Sequence, residues 1–422
     1  MSNREHACLP NGTIAAETTT TWLQDLRMRL ISRLLPALRF GRLQIVFPGG
    51  AVLNRAGAEP GPDATVILHS WRAVRRLATG GDVGFAESWI DGEWTSPDLT
   101  SLIRLGIRNA ETVDGKTHGS FLARAANRLA HGRNANSKRK SPRNIQAHYD
   151  LGNDFYRLWL DQTMLYSSAL WDGKTASLED AQRNKLDRIC ELLQLSGGES
   201  ILEIGCGWGA LAAQIAATPQ SHVTGITLSP AQLEWAKQEV LAHGRGDRVD
   251  LRLQDYRDIA GTFDRIVSIE MLEAVGETYW PAYFGTIARS LKPGGSAIIQ
   301  VITIAEDRYE SYRTEVDFIQ KHIFPGGFLP SKTALRSAIE NAGLREVRSE
   351  TFGLSYARTL AEWRHRFHAN WDKISYLGFD DRFRRLWDYY FCYCEAAFCE
   401  GAVDVGLYTL ECDRQLSIPP RN

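Results

Sequence analysis

The 422-residue chain reads as an α/β protein: a mainly parallel, Rossmann-like sheet with helices on both faces, preceded by a smaller N-terminal domain. Three observations predict this. Single cores stop growing at about 250–300 residues, so the length calls for two domains. From Asn144 onward, strand-like runs ("SILEIGC", "HVTGITL", "VDLRLQD", "FDRIVSIE", "GSAIIQVIT") alternate with stretches of helical spacing ("ALAAQIAATP", "PAQLEWAKQEVLAHG"), the alternation that builds parallel sheets. Between the first strand and the first helix stands "GCGWGA", Gly205 to Ala210, a glycine loop of the kind that brings backbone N–H groups up to a ligand.

In chain order, the first twenty residues lack the apolar core of a secretory signal, and nowhere do about 18 apolar residues run together, so the expected location is the cytoplasm. "WLQDLRMRLISRLLPALRF" spaces Trp22, Leu26, Leu30, Leu34 and Leu38 by four with arginines between them. This is a basic amphipathic helix, packed on its own domain or lying on an anionic membrane surface. "RLQIVF" and "ATVILHS" read as strands, and "GDVGFAESWIDGEWTSPDLTSLIRLGIRN" completes a small mixed domain over 1–110. Residues 111–143 turn polar and basic without apolar periodicity and read as a linker, leaving 144–422 as the larger domain. Charge divides the same way. Up to Ile145 there are 20 Lys+Arg against 12 Asp+Glu, and after it 29 against 38, so the N-terminal third seeks phosphates. Seven cysteines without CxxC spacing or a histidine pair suit neither a zinc site nor a disulfide framework.

The glycine loop formally fits a dinucleotide fingerprint, and glycines also serve plain close packing. Three neighbours choose the ligand. Glu203, two residues before Gly205, would face a pyrophosphate badly but an ammonium group well. The second strand ends in Thr227-Leu228, where a dinucleotide site carries the acid for the ribose. Pro293-Gly294-Gly295 turns into a further strand after a helix, as in methyltransferases that use S-adenosylmethionine (SAM). SAM, not NAD, is the expected cofactor.

"HYDLGNDFYRLWLDQTMLYSSALW", "QRNKLDRIC", "LEIGCGWGALA", "GITLSPAQLEWA", "LQDYRD", "FDRIVSIEMLEAVG" and "FIQKHIFPGGFLPS" together resemble the cyclopropane-fatty-acyl-phospholipid synthase family, which includes the mycolic acid cyclopropane synthases. "GFAESWIDGEW" resembles the N-terminal domain of its phospholipid-acting members. The resemblance implies a SAM-methyltransferase sheet with a C-terminal antiparallel strand and a lipid-contacting N-terminal domain. It implies methylene transfer from SAM to a cis double bond of an unsaturated phospholipid, by a homodimer peripheral to the inner membrane face. Nucleic acid is not an expected partner, and no metal is expected. Alternatives are a methyl- or methylene-branched unsaturated chain, or N- or O-methylation of a soluble small molecule.

By the same resemblance, SAM falls to Tyr166, Ser167, Glu203, Gly205, Cys206, Gly207, Thr227, Leu228, Gln232 and the Asp255-Tyr256 pair. The proton is thought to go to a bound bicarbonate ion, held at positions that match Ser168, Glu273, Gln300, Ile302 and Arg364. The much-studied bacterial form has Cys, Glu, His, Ile and Tyr there, whereas Gln300, Arg364 and "EAVG" resemble the plant branch. Cys394 matches a cysteine proposed as catalytic, although the chemistry needs no covalent intermediate. The short-lived cation asks for a dry, aromatic-lined site, and Tyr149, Phe155, Tyr156, Trp159, Tyr166, Trp171, Tyr279, Tyr312, Phe318 and Phe324 are candidates that could equally be core.

Overall fold

The computed structural model describes residues 37–110 and 151–412. Nearly all of the basic helix expected from Trp22, the 111–143 linker, His148 and Tyr149 lie outside them. The N-terminal layer holds β1 (Phe40–Val46), β2 (Val52–Ala56) and β3 (Glu59–Leu68), then α1 (Trp71–Ile90), β4 (Trp94–Thr95) and α2 (Leu99–Arg108). The four strands form one sheet in the order β2-β1-β3-β4. Both helices start on side-chain caps, Ser70 accepting from the Arg72 N–H and Asp98 from that of Ser101.

The larger layer opens with α3 (Asn153–Tyr156) and α4 (Leu178–Leu193). The βα alternation follows: β5 (Ser200–Ile204), α5 (Ala210–Ile215), β6 (His222–Thr227), α6 (Pro230–Ala242), β7 (Val249–Leu253), β8 (Phe263–Ile269), α7 (Trp280–Ser290) and β9 (Leu291–Ile304). Then come α8 (Glu306–Thr314), α9 (Phe318–His322), α10 (Lys332–Asn341), β10 (Leu344–Thr351), α11 (Gly353–Ala369), α12 (Trp371–Tyr376), α13 (Asp381–Cys399) and β11 (Val403–Cys412). The sheet order is β10-β11-β9-β8-β5-β6-β7, and β11 runs antiparallel to both its neighbours. This is the mainly parallel sheet with a C-terminal antiparallel strand. The Pro293-Gly294-Gly295 turn lies inside β9 as a bulge: Phe263 pairs with Leu291, but Arg265 pairs with Ser296, and Gly294 has φ 79°.

The helices α11 to α13, inserted between β10 and β11, tie the two layers into one core. Ile45, Phe47, Trp94 and Leu99 share a buried cluster with Phe155, Trp159, Trp387 and Phe391. The Trp89 indole N–H donates to the Arg385 carbonyl at 3.0 Å, and the Arg385 guanidinium donates to the Trp94 carbonyl at 2.9 Å. Each large apolar side chain so buried contributes about 1.5–3 kcal/mol, so the N-terminal layer packs as part of the larger layer's core rather than beside it. Among the described residues, no helix is long and apolar enough to cross a membrane and no cluster of side chains could hold a metal ion.

Candidate active site

The cofactor half lies at the carboxyl ends of β5, β6 and β7, where doubly wound sheets bind ligands. The Gly205 and Cys206 N–H groups donate to the Ile226 carbonyl at 3.0 and 2.9 Å, folding the loop over the end of β6. Gly205 has φ 85°, and a Cβ there would come within 3.2 Å of Met271 Cγ. Gly207 has φ 51° and a Cβ on it would meet nothing within 4 Å, which marks an open cradle. Glu203 is 3% exposed, its Oε2 is buried without a hydrogen-bond partner, and burial pushes its carboxyl up to about 8. A carboxyl so placed suits a cationic partner such as the ammonium group that SAM carries. Thr227 Oγ1 donates to Gln232 Oε1 at 2.8 Å and accepts from the Ser229 N–H, which fixes the start of α6. Leu228 is half-buried between them. Asp255 holds the Arg257 side chain through both oxygens and presents Tyr256, packed edge-on to Tyr283. The donors and the open glycine cradle fit SAM.

Tyr166, Ser167 and Ser168 enter from the segment between α3 and α4. The Tyr166 and Tyr390 hydroxyls are 3.0 Å apart. Ser167 Oγ accepts from Lys185 Nζ at 2.6 Å, and Lys185 is fully buried, with its ammonium lowered to about 8 by burial against the pull of Glu270 and Asp161. Ser168 is also fully buried, but its hydroxyl donates to the neighbouring Ala169 carbonyl at 3.0 Å. Its backbone N–H is the part that reaches the site, donating to Glu270 Oε1 at 2.8 Å.

Glu270 is the centre of the second half. Oε1 also accepts from Gln300 Nε2 at 2.6 Å, and Oε2 accepts from the Tyr356 hydroxyl at 2.7 Å. Glu273 Oε1 accepts from the Ile302 N–H at 2.6 Å, while Oε2 is buried without a hydrogen-bond partner. Burial, then the nearby Glu270 charge, push the Glu273 carboxyl up to about 8. Burial raises Glu270 as well, opposed by the Ser168 N–H, the Tyr356 hydroxyl, Lys185 and the Gln300 amide.

Ser168, Glu273, Gln300 and Ile302 therefore converge, and Arg364 does not join them. Its Nε donates to Asp388 Oδ1 at 2.7 Å, an oxygen that His368 Nε2 also meets at 2.6 Å. The cause is helical register. Tyr356, Thr359, Leu360, Trp363 and Phe367 form the buried stripe of α11, whereas position 364 is turned off that stripe and about 12 Å along the axis from Tyr356. Cys394 lies among Tyr312, Tyr356, Tyr390 and Tyr393, each raised in part by it. Burial pushes the thiol well above its ordinary range, away from a nucleophilic thiolate.

The sequence reading missed Glu270, Tyr356 and Lys185. Each left a trace: two carboxylates in "SIEMLEAVG" just past a strand, a tyrosine heading an apolar stripe, and a lysine on the stripe Ala181, Lys185, Ile189, Leu193 of α4. The expected aromatic lining is largely one continuous cluster of Phe155, Tyr156, Trp159, Tyr166, Phe318 and Phe324 with the rings of α11 and α13. Trp208 of the glycine loop joins it, with ring centroids 5.3 Å from Tyr156 to Trp208 and 5.5 Å from Tyr156 to Tyr166.

A family described as "Mycolic acid cyclopropane synthetase" matches residues 136–407. The chain is 37% identical to tuberculostearic acid methyltransferase UfaA1 of Mycobacterium tuberculosis, covering 96% of this chain and 94% of the relative. It is also 37% identical to the cyclopropane-fatty-acyl-phospholipid synthase of Escherichia coli, over 82% and 88% respectively. Among solved structures it is similar to the cyclopropane synthase MmaA2 of Mycobacterium tuberculosis, with a TM-score of 0.60 and 29% identity over 64% of this chain and 97% of that one. The mycolic acid cyclopropane synthase CmaA1, solved with SAH and CTAB, gives a TM-score of 0.60 at 30% identity, over the same 64% and 97%.

Proposed function

We propose, for a chain that belongs to the mycolic acid cyclopropane synthetase family and is a SAM-dependent methyltransferase, that its substrate is the cis double bond of an unsaturated phospholipid acyl chain and its product a cyclopropane ring. The observation that carries the reading is the continuity of the glycine loop with a buried aromatic cluster through Trp208, Tyr156 and Tyr166, beside two buried carboxyls. A cofactor loop facing rings invites an apolar methyl acceptor, and carboxyls at its margin take the proton released.

SAM supplies a methyl carbon made electrophilic by its sulfonium. Glu203 would take the ammonium group of that ligand, with Thr227, Leu228 and Gln232 to hold its ribose and Asp255-Tyr256 its adenine. Tyr166 and Tyr390 wall the acyl chain, excluding water from the cation that forms on the neighbouring carbon and facing it with π electrons. The enzyme works as a homodimer on the anionic inner membrane face, from which the chain is drawn in. A second reading, a methyl- or methylene-branched chain, is favoured by the near full-length match to a relative named a tuberculostearic acid methyltransferase.

Mass spectrometry of lipids from cells that express the protein and are fed isotope-labelled methionine tests both. Label is expected in phospholipid acyl chains, and fragmentation separates ring from branch. Unlabelled acyl chains would end the lipid reading.

A further inference from the structure

Bicarbonate does not fit this site. Of the groups that the resemblance gives to that ion, the Ser168 N–H and the Gln300 amide already donate to Glu270, the Ile302 N–H donates to Glu273, and Arg364 is turned to Asp388. An anion placed among them would lose its donors and meet the Glu270 carboxylate, a like-charge encounter that both groups resist. We propose that Glu270 is the built-in base of this enzyme, its carboxylate occupying the donor set that would otherwise hold a free anion. The inference rests on the methyl-transfer reading above.

Geometry supports the assignment from three sides. Glu270 is one of four non-glycine residues with positive φ among those described, at φ 49° just beyond the carboxyl end of β8. A glutamate held in the left-handed region, where glycine is at ease, is kept there against its own backbone preference, and its N–H is pinned to the Gln300 carbonyl at 2.9 Å. The next residue, Met271, packs on Gly205 of the cofactor loop, so the carboxylate stands at the border of the two halves. Its three donors leave a lone pair of Oε2 uncommitted for the proton of a substrate C–H.

In the closing step a C–H bond of the transferred methyl group breaks, and its electron pair forms the last C–C bond of the ring. The proton goes to Glu270, which turns from carboxylate to carboxylic acid and returns the proton to water after product release. Glu270 accepts three hydrogen bonds where Glu273 accepts one, so the donors favour the negative charge on Glu270.

The test uses the full-length enzyme, vesicles of dioleoylphosphatidylglycerol and isotope-labelled SAM, in buffer stripped of carbon dioxide or supplied with bicarbonate. Wild-type turnover is expected to be the same in both within twofold. E270Q should lose at least 100-fold in turnover while its SAM affinity by calorimetry, which also reports folding, stays within threefold. E270G should bind labelled bicarbonate by carbon NMR, where the wild type does not, and recover at least tenfold in turnover when it is added. Wild-type turnover that rises with bicarbonate, or E270Q that keeps more than a tenth of it, overturns the assignment. Absence of any label in the vesicle lipid with the wild type overturns the methyl-transfer reading itself, and this proposal with it.

Discussion

The two halves of the site are built in different ways. The cofactor half comes from short segments at the ends of consecutive strands: Glu203 to Gly207, Thr227 to Gln232, and Asp255-Tyr256. The proton half gathers single groups from four distant places, the Ser168 N–H before α4, Glu270 after β8, Gln300 within β9 and Tyr356 on α11. Local spacing specifies the first, because a strand, a glycine turn and a helix cap fix their own geometry. Only the assembled sheet and its helical insertion specify the second.

If the second half is a device for holding Glu270, the largest effect outside Glu270 itself belongs to its one side-chain hydroxyl. A hydrogen bond to a charged group is worth about 1.5–3 kcal/mol, so Tyr356→Phe is expected to lower turnover roughly 10- to 100-fold while SAM affinity holds. Steady-state rates with calorimetric SAM affinities check this. Loss of SAM binding instead would move Tyr356 to the cofactor half.

The mirror experiment is Glu203→Gln, with SAM affinity expected to fall about tenfold and turnover at saturating SAM little changed. It carries a pH signature. The cofactor-free folded protein keeps the Glu203 proton up to about 8, whereas an ordinary glutamate releases it near 4.5. The folded value lies above the unfolded one, so the stability from this proton is whole below pH 4.5 and is lost as pH rises through 8. The melting temperature of wild type without SAM should therefore fall over that window more steeply than that of E203Q. Part of the slope remains in the variant, because Glu273 is raised in the same way.

The same contrast explains what was legible in the sequence. The parallel sheet follows from the alternation of strand-like and helical runs, the antiparallel β11 from the family resemblance, and the glycine loop between β5 and α5 from a motif whose spacing is its geometry. Tyr356 and Arg364 show where that stops. They sit on one helix eight positions apart, and only the face that α11 turns to the sheet decides which of them reaches Glu270. That face is set by packing against α13, with Tyr356 stacked on Phe398 and Phe367 close to Phe391, contacts between segments remote in sequence. Glu270 was hidden for another reason: a carboxylate in a left-handed position beyond a strand has no pattern of its own, and its meaning comes from three donors supplied elsewhere. Arg364→Ala sharpens the point. Turnover is expected within threefold of wild type and stability lower by about 1 kcal/mol, since the guanidinium is a third exposed and serves Asp388. A collapse of turnover measured alongside an unchanged melting temperature would return Arg364 to the site.

Ser168 gives the smallest expected effect and the finest distinction. Ser168 stands where the much-studied bacterial form of the family has a cysteine. In the fold its hydroxyl is spent on the adjacent Ala169 carbonyl, and the group that reaches Glu270 is the backbone N–H, which every residue but proline possesses. A thiol is larger and donates more weakly, but it leaves the N–H in place. Ser168→Cys is therefore expected to keep turnover within twofold and product distribution unchanged, read by rate measurement and by mass spectrometry of the acyl chains. Turnover that shifts tenfold, or a ring-to-branch ratio that moves, would mean that the side chain at 168 touches the reacting carbons, and would draw the border between the two halves through the serine pair instead of at Glu270.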